Sequence, residues 1–286
     1  MKNRITLTNR ILPAGGIICL AATVTLLIST GAPALADADD SAAGPLASPN
    51  LITPPVVPTS PYGHTYAQWA AKYWQWTLSF PATAEPASDT AAQESGQTGP
   101  VWFLAGAHGS ALVNGQATVT RQITVPEGTA LFLAVLSVLD DNTGCPNYNK
   151  PLLTPPQLGT DVLDIWNSVA SATFCTIDGV PVSGLANPIT SPYLIQTPPF
   201  SYTLAAHHNL LAAAFDEACI ADGTTVGPAV GEGVFLMVPP LVAGGPHTIR
   251  FGGVAGPTPK PMFAWDITYS ITVTPANGRN PDRILQ

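Results

Sequence analysis

The spacing of apolar residues predicts one amphipathic helix near the start of the folded part of the chain. Its aromatic residues recur at steps of three and four, which is the spacing of one helical face. They are Tyr66, Trp69, Tyr73, Trp76 and Phe80. Thr65 suits the N-cap position, and Pro81 ends the pattern. Trp74 lies about 120° from the centre of this stripe at about 100° per residue, so we expect it to face something other than the core.

Beyond this helix the pattern changes to the period of β-strands, bounded by glycine and proline turns. Strands are predicted at 99–106, 119–125, 129–139, 175–182, 233–238, 247–252 and 263–274. The segment 175–182 predicts a hairpin that turns at Asp178-Gly179. A second helix is predicted at 160–172, whereas 200–219 fits either a strand followed by a helix or one irregular helix.

Many short strands, few helices and no repeating strand-helix unit predict a mainly β fold. The composition agrees, because 30 prolines and 25 glycines interrupt the chain and only 10% of it is charged. We expect an antiparallel β-sandwich or jelly roll. The Trp-rich amphipathic helix and one or two further short helices would pack against it.

The N-terminus has the pattern of a secretory signal peptide: three basic residues, then an apolar run, then small residues ending at Ala36. We expect a signal peptide at 1–36, a flexible leader rich in Ala, Pro and Ser at 37–60, one β-sandwich domain at 61–276 and a short tail at 277–286. The longest later apolar run, 131–139, is too short to span a bilayer. The protein is therefore expected to be secreted, either extracellular or periplasmic, without a transmembrane segment after cleavage.

Signal-peptide removal would make the chain strongly acidic. Three basic residues lie in 1–36, so 7 Lys plus Arg remain against 18 Asp plus Glu, a net charge of −11. This charge argues against nucleic acid as a partner.

Three cysteines would remain after cleavage of the signal peptide: Cys145, Cys175 and Cys219. Exported proteins retain disulfides, so one disulfide and one unpaired thiol are expected. Cys145 and Cys219 both flank polar loops, whereas Cys175 lies in a predicted strand, which favours the Cys145–Cys219 pair without excluding the others.

Several motifs together resemble a family of exported bacterial proteins of unknown function. One is a Tyr-Gly helix followed by Trp-Ala and clustered tryptophans, here Tyr62, Gly63, Trp69, Ala70, Trp74 and Trp76. The others are the elements at 96–106, 119–128, 178–182 and 247–253. After the Val-Pro-x-Gly motif the family has Phe-Pro-Val-Leu-Asn, and this chain departs from it with the residues of 133–137. The resemblance implies export and a shared fold but no activity.

No sequence motif for a nucleophile elbow, a P-loop, a dinucleotide site or a His-Glu-x-x-His zinc site is present. The densest polar cluster begins with Asp140, Asp141 and Asn142 after a long apolar strand. Such oxygens can coordinate a hard cation such as calcium, although a simple turn is the favoured interpretation. No other cofactor is indicated.

The histidines allow an alternative interpretation in which the protein is an enzyme. His207 and His208 are adjacent, and His247 begins a predicted strand. A transition metal or a general base would draw on one of the pair together with His247 and Asp140 or Asp141. Structural histidines are the favoured interpretation.

Arg121 shares the predicted inward face of strand 119–125, so its guanidinium must be paired. Candidate partners are Asp89, Asp178 and Glu94, and a structural ion pair is favoured over a ligand-binding role that would hold an anion. Exposed aromatic residues on a β-sandwich can stack on sugar rings, and the candidates are Trp74 with Trp102 or Tyr148. Core packing is the alternative for each.

These observations predict an exported, non-catalytic protein that binds a saccharide or another component of the cell envelope. The alternative is a secreted metal-assisted hydrolase that uses Asp140, Asp141, His207 or His208, and His247.

Overall fold

The computed structural model describes residues 18–19, 60–107, 113, 115–143, 151–214, 219–256, 261 and 263–275. Its helices are α1 (Tyr66–Leu78), α2 (Pro155–Val169) and α3 (Leu210–Ala214), with single 3-10 turns at Pro61–Gly63 and Pro86–Ser88. Its strands are β1 (Ile18–Cys19), β2 (Val101–Leu104), β3 (Gln116–Pro126), β4 (Ala130–Asp141), β5 (Ala170–Ile177), β6 (Val180–Pro181), β7 (Leu194–Gln196), β8 (Phe200–Thr203), β9 (Thr225–Val238), β10 (Gly244–Ala255) and β11 (Phe263–Thr274).

The strands form two sheets, and the predicted mainly β fold is confirmed. Sheet one is built on the antiparallel pair β4–β9; β1 and β2 join it at β4, and β7 and β8 join it at β9. Strand β1 lies within the segment expected to be the signal peptide. Sheet two has the order β3-β11-β10-β5-β6.

The predicted antiparallel arrangement holds for every described strand pair except one in each sheet. β2 runs parallel to β4, and β3 runs parallel to β11. The chain leaves sheet one after β2, passes along sheet two as β3, and returns through a turn at 127–129 as β4. Two reversals of direction leave β2 and β4 running the same way.

Sheet one is the middle layer, and every residue of its strand β4 is buried. Helix α1 covers one face, where Tyr73 contacts the rings of Phe132 and Phe235. Sheet two covers part of the other face; there the Trp265 indole donates to the backbone oxygen of Val135 at 2.9 Å. Helix α2 contacts β4 and β9 and leads directly into β5 of sheet two.

Local signals explain several element boundaries. A capping box starts α1, because the Thr65 hydroxyl accepts from the Gln68 amide and the Gln68 side chain accepts from the Thr65 amide. The hairpin prediction is confirmed, since Asp178 and Gly179 both have positive φ between β5 and β6. The second predicted helix begins earlier, at Pro155, and ends at Val169. Segment 200–219 begins as a strand followed by a short helix.

Among the helices that the structure describes, none combines the length and the apolar character needed to cross a bilayer.

Candidate functional site

The acidic residues predicted as a cation site lie at the buried end of β4. Asp141 accepts hydrogen bonds from the Tyr202 hydroxyl at 2.6 Å and from the Thr143 amide at 2.8 Å. The Asn142 side chain exchanges two hydrogen bonds with the Leu153 backbone, so it fixes the approach to α2. Residues 144–150, which complete the predicted loop and include Tyr148, are outside the described residues. Asp141 and Asn142 thus have structural contacts that fit the turn interpretation.

The three candidate histidines lie in two separate places. His207 and His208 are exposed between β8 and α3, where the backbone amide of His208 donates to Asp222 at 3.1 Å. His247 is on sheet two and contacts Asp178. Within the described part of the chain, no three His, Cys, Asp or Glu side chains are grouped so that they could hold a metal. Asp140, Asp141, His207, His208 and His247 therefore do not form a group of that kind.

His247 instead links β10 to the β5–β6 hairpin. Its Nδ1 lies 2.7 Å from Asp178 Oδ2 and its Nε2 lies 3.0 Å from the Val242 oxygen. Both neighbours are acceptors, so both ring nitrogens must carry a proton to satisfy them. The hydrogen bond to Asp178 raises the His247 pKa above its ordinary value, against the opposing effect of desolvation.

The inward orientation of Arg121 is confirmed, and Asp89 is its carboxylate partner. The distance from Nε to Asp89 Oδ1 is 2.7 Å. The remaining guanidinium nitrogens donate to three backbone oxygens and one hydroxyl: Ala87 O, Ala105 O, Gly106 O and Tyr269 Oη, at 2.7–3.2 Å. Burial alone would lower the Arg121 pKa, but Tyr269 and Asp89 more than offset it and raise that pKa. With every nitrogen engaged by the protein, this network supports the structural interpretation.

The tryptophans proposed for sugar stacking are buried. Trp74 is 0% exposed and Trp102 is 9% exposed, so the expectation that Trp74 faces something other than the core is wrong. That expectation assumed that α1 packs against the rest of the protein on one side only. In fact α1 contacts β4, β7, β8 and β9 of sheet one, and Trp74 lies against Gly231 of β9 there. The Trp76 indole, which is on the predicted stripe, donates to the Ser95 backbone oxygen at 3.2 Å, so the segment after the helix covers a second side of α1. A Cβ atom at Gly231 of β9 would lie only 2.7 Å from Trp74 Nε1.

A different aromatic residue is exposed on a polar surface. Phe174 of β5 is 38% exposed on the outer face of sheet two. Its ring lies across the neighbouring strand at Gly252, where a Cβ atom would come within 2.5 Å of Phe174 Cε1. Arg250 places its guanidinium carbon 5.5 Å from the Phe174 ring centre, a cation–π contact. The absence of a side chain at Gly252 therefore makes room for the ring.

Arg250 also forms a bidentate ion pair with Asp266 on the neighbouring strand β11. Its Nε lies 2.8 Å from Asp266 Oδ1, and its Nη2 lies 2.5 Å from Asp266 Oδ2. We call Phe174, Arg250 and Asp266, together with the adjoining hydroxyl rows, the outer-face platform.

The hydroxyl rows arise from the register of β3, β11 and β10. Thr120 lies beside Thr268, and Thr268 lies beside Arg250. Most outward residues of β3 and β11 carry hydroxyl or amide side chains: Thr118, Thr120, Gln122 and Thr124, and Thr268, Ser270 and Thr272. The outer-face platform therefore combines an aromatic ring, an ion pair and a regular set of hydrogen-bonding groups.

The sequence predicted part of this platform but not its aromatic residue. The alternation in 119–125 and 263–274 correctly separated the polar from the apolar side of β3 and β11. Phe174 was overlooked because it falls between the predicted helix at 160–172 and the predicted hairpin at 175–182. Only the pairing of β5 with β10 places Phe174 opposite Gly252.

No protein-family model matches the chain, and no solved structure matches it. Membership of the exported bacterial family stays a prediction.

The cysteines agree in part with the expected pairing. The Cys175 thiol is free and buried, and burial raises its pKa to about 12. Cys145 lies outside the described residues, so the Cys145–Cys219 disulfide stays a prediction.

Proposed function

We propose that this protein is an exported, non-catalytic module that binds a polysaccharide through the outer-face platform. The observation that carries the proposal is the exposed Phe174 ring beside the Arg250–Asp266 ion pair on a hydroxyl-bearing sheet face. A sugar ring presents one apolar face and several hydroxyl groups. An aromatic face next to fixed donors and acceptors is complementary to both.

The extent of the outer-face platform favours a polymer over a single sugar. Outward side chains continue from Phe174 on β5 across β10 and β11 to Thr118 on β3, which is a span of four strands. With neighbouring strands about 4.8 Å apart, the platform is about 14 Å wide. That width would accommodate two or three sugar units of an extended chain.

Export places the proposed ligand outside the cytoplasm. The N-terminal pattern predicts secretion, and the net charge of −11 after cleavage argues against nucleic acid. A cell-envelope or extracellular polysaccharide is consistent with both features.

Sedimentation with insoluble cellulose, chitin and peptidoglycan sacculi tests this proposal. We expect at least one of these polymers to retain the wild-type protein. Phe174→Ala should reduce the fraction bound to that polymer to the background level. Ile189→Ala is the matched control, because Ile189 is about as exposed as Phe174 but lies outside the outer-face platform.

Phe174 also covers the backbone at Gly252, so a loss of stability must be separated from a loss of binding. Phe174→Leu keeps an apolar cover there but removes the aromatic face. We expect Phe174→Leu to unfold at nearly the wild-type denaturant concentration and to bind as weakly as Phe174→Ala. Undiminished binding by a folded Phe174→Leu, or no retention of the wild-type protein by any of the three polymers, would count against the proposal.

A further inference from the structure

The outer-face platform is bordered at one end by a row of small apolar side chains. The strand register places Ala172 of β5 opposite Val254 of β10, and Val254 opposite Ala264 of β11. All three lie on the outward side of sheet two and are exposed or half-buried. We call these three residues the apolar strip. Because neighbouring strands are about 4.8 Å apart, the apolar strip extends about 10 Å across the sheet.

The Phe174 ring lies beside the apolar strip. Phe174 is two residues from Ala172 on β5, and its ring reaches over Gly252, which is two residues from Val254 on β10. Residues two apart on a strand point to the same face and are about 6.7 Å apart. The ring and the apolar strip therefore form one apolar surface, and this surface crosses the strands.

Charge on the outward face of sheet two is confined to one neutralised pair. Among the outward residues that the structure describes on β3, β5, β10 and β11, the two charged side chains are Arg250 and Asp266. They bind each other in bidentate geometry. An anionic chain would find no unpaired cation among these residues, and the net charge of −11 expected after cleavage would repel it.

Arg250 nevertheless retains hydrogen-bond donors for a ligand. Asp266 accepts from Nε and Nη2 of Arg250, whereas Nη1 has no hydrogen-bond partner among the described residues. The guanidinium carbon lies 5.5 Å from the centre of the Phe174 ring. Nη1 can therefore donate to a hydroxyl group of a sugar that stacks on this ring, and the ion pair as a whole stays neutral.

An apolar surface beside hydrogen-bonding groups is complementary to one kind of sugar ring. When every ring substituent is equatorial, both ring faces expose C–H groups and the hydroxyl groups lie around the ring edge. An axial hydroxyl would place a polar group against Phe174 and leave it without its hydrogen bonds to water. A carboxylate would also lose water and gain no free positive charge in exchange.

We propose that the ligand is an uncharged glycan of the cellulose or chitin type, a chain of equatorially linked glucose or N-acetylglucosamine units that crosses the strands over Phe174 and the apolar strip. The inference rests on the proposed function, and it adds the class of the polymer and its direction on the sheet. A chain that ran along β11 instead would leave the ring and lie over Thr268, Ser270 and Thr272.

Isothermal titration calorimetry with four hexasaccharides of the same linkage tests the class. Cellohexaose and chitohexaose are the proposed ligands, the mannose hexamer adds an axial hydroxyl to each unit, and the glucuronic acid hexamer adds a carboxylate. We expect one of the two proposed ligands to bind at least about tenfold more tightly than the mannose and glucuronic acid hexamers, a difference of about 1.4 kcal/mol. Raising NaCl from about 50 mM to about 500 mM should change that affinity by less than about twofold, because salt screens only charges.

Matched substitutions on β11 test the direction. Ala264→Gln adds bulk and polarity at the apolar strip, and Thr272→Gln adds a larger polar side chain at an outward position outside it. We expect Ala264→Gln to weaken binding of the preferred hexamer by about fivefold or more and Thr272→Gln by less than about twofold. If Ala264→Gln disturbs folding, Val254→Thr makes the strip more polar with little change in shape, and Thr248→Val is its control on β10.

Three results would overturn the inference and leave Phe174-dependent polysaccharide binding in place. They are equally tight binding of the mannose or glucuronic acid hexamer, sedimentation with peptidoglycan sacculi alone, and a loss with Thr272→Gln as large as with the apolar-strip variants. A wild-type protein that bound none of the hexamers and none of the insoluble polymers would overturn both this inference and the proposed function.

Discussion

Replacing Arg121 with methionine should be among the most destabilising single changes in this protein. The guanidinium is almost fully buried and connects Asp89, the Ala105–Gly106 backbone and Tyr269. Methionine fills similar space but donates no hydrogen bond. Arg121→Met would remove a donor from three backbone oxygens and a carboxylate. Ala105 O can still accept from the Tyr269 hydroxyl and Asp89 from the Gln93 side chain, so the loss falls mainly on Ala87 O and Gly106 O.

The expected loss follows from those contacts. A buried acceptor left without its donor costs about 1–3 kcal/mol, and breaking one side of a buried ion pair typically costs about 3–5 kcal/mol. Asp89 is partly exposed and can be rehydrated, which lowers the electrostatic share. We therefore expect the free energy of unfolding to fall by about 3–4 kcal/mol, a large part of the 5–15 kcal/mol typical of a domain.

Urea denaturation monitored by tryptophan fluorescence measures this loss. With a slope of about 1–3 kcal/mol per molar urea, the midpoint should fall by about 1 M or more. Arg250→Met is the matched control, because Arg250 lies on the same sheet and pairs with Asp266, but its side chain is 54% exposed. An exposed ion pair of this kind contributes about 0–1 kcal/mol.

Equal destabilisation by Arg121→Met and Arg250→Met would refute the reasoning, since burial is the property that distinguishes the two ion pairs. So would a loss below about 1 kcal/mol for Arg121→Met. A stable Arg121→Met variant that lost ligand binding would instead favour the anion-binding role.

Three further outcomes are expected. The folded-state pKa of His247 is above its ordinary value, so its contribution to stability should be complete below about pH 6.5 and lost as the pH rises through the folded pKa. The difference in urea stability between the wild type and His247→Asn should therefore shrink between about pH 5.5 and about pH 8.5. Gly231→Ala should lower the free energy of unfolding by about 1–3 kcal/mol, because the new methyl group would lie 2.7 Å from Trp74 Nε1. In urea denaturation of the double variant, the smaller ring of Trp74→Phe should recover part of that loss. Peptide mapping under non-reducing conditions should find a Cys145–Cys219 disulfide; an unmodified thiol at Cys219 would contradict it.

The elements that were predicted well from the sequence either have one buried and one exposed face or depend on local backbone geometry. β11 is one example: one face meets the core and the other faces outward, so alternation over 263–274 matched the strand. The turn at Asp178-Gly179 was also predictable, since positive φ at both positions is a local property of a two-residue hairpin.

Helix α1 shows why Trp74 was interpreted wrongly. A helical stripe indicates which side packs most heavily, but a second covered side depends on strands more than 100 residues away in the sequence. The side-chain amide of Gln75 donates to the backbone oxygen of Ser201, and Gly231 lies against Trp74. Neither contact is encoded in the local pattern of α1.

The candidate sites also depend on long-range pairing. Glu232 shows no distinctive motif in the sequence, and only the packing of β7 and α2 brings Gln196 beside both Glu232 and Gly159. Asp140 and His247, in contrast, were conspicuous in the sequence but lie on different sheets. Residue type alone was therefore a poor guide to which polar groups converge.

The Phe174–Gly252 pair shows how one arrangement can support both stability and binding. A glycine inside a strand leaves the backbone uncovered and weakens the strand, and the neighbouring ring restores an apolar cover. Because that cover comes from the adjacent strand, the ring lies along the sheet, and the Arg250 guanidinium carbon lies 5.5 Å from its centre. A ring fixed in this way loses little conformational entropy when a ligand stacks on it, which favours binding. The contact that stabilises β10 would therefore also prepare the outer-face platform for a saccharide.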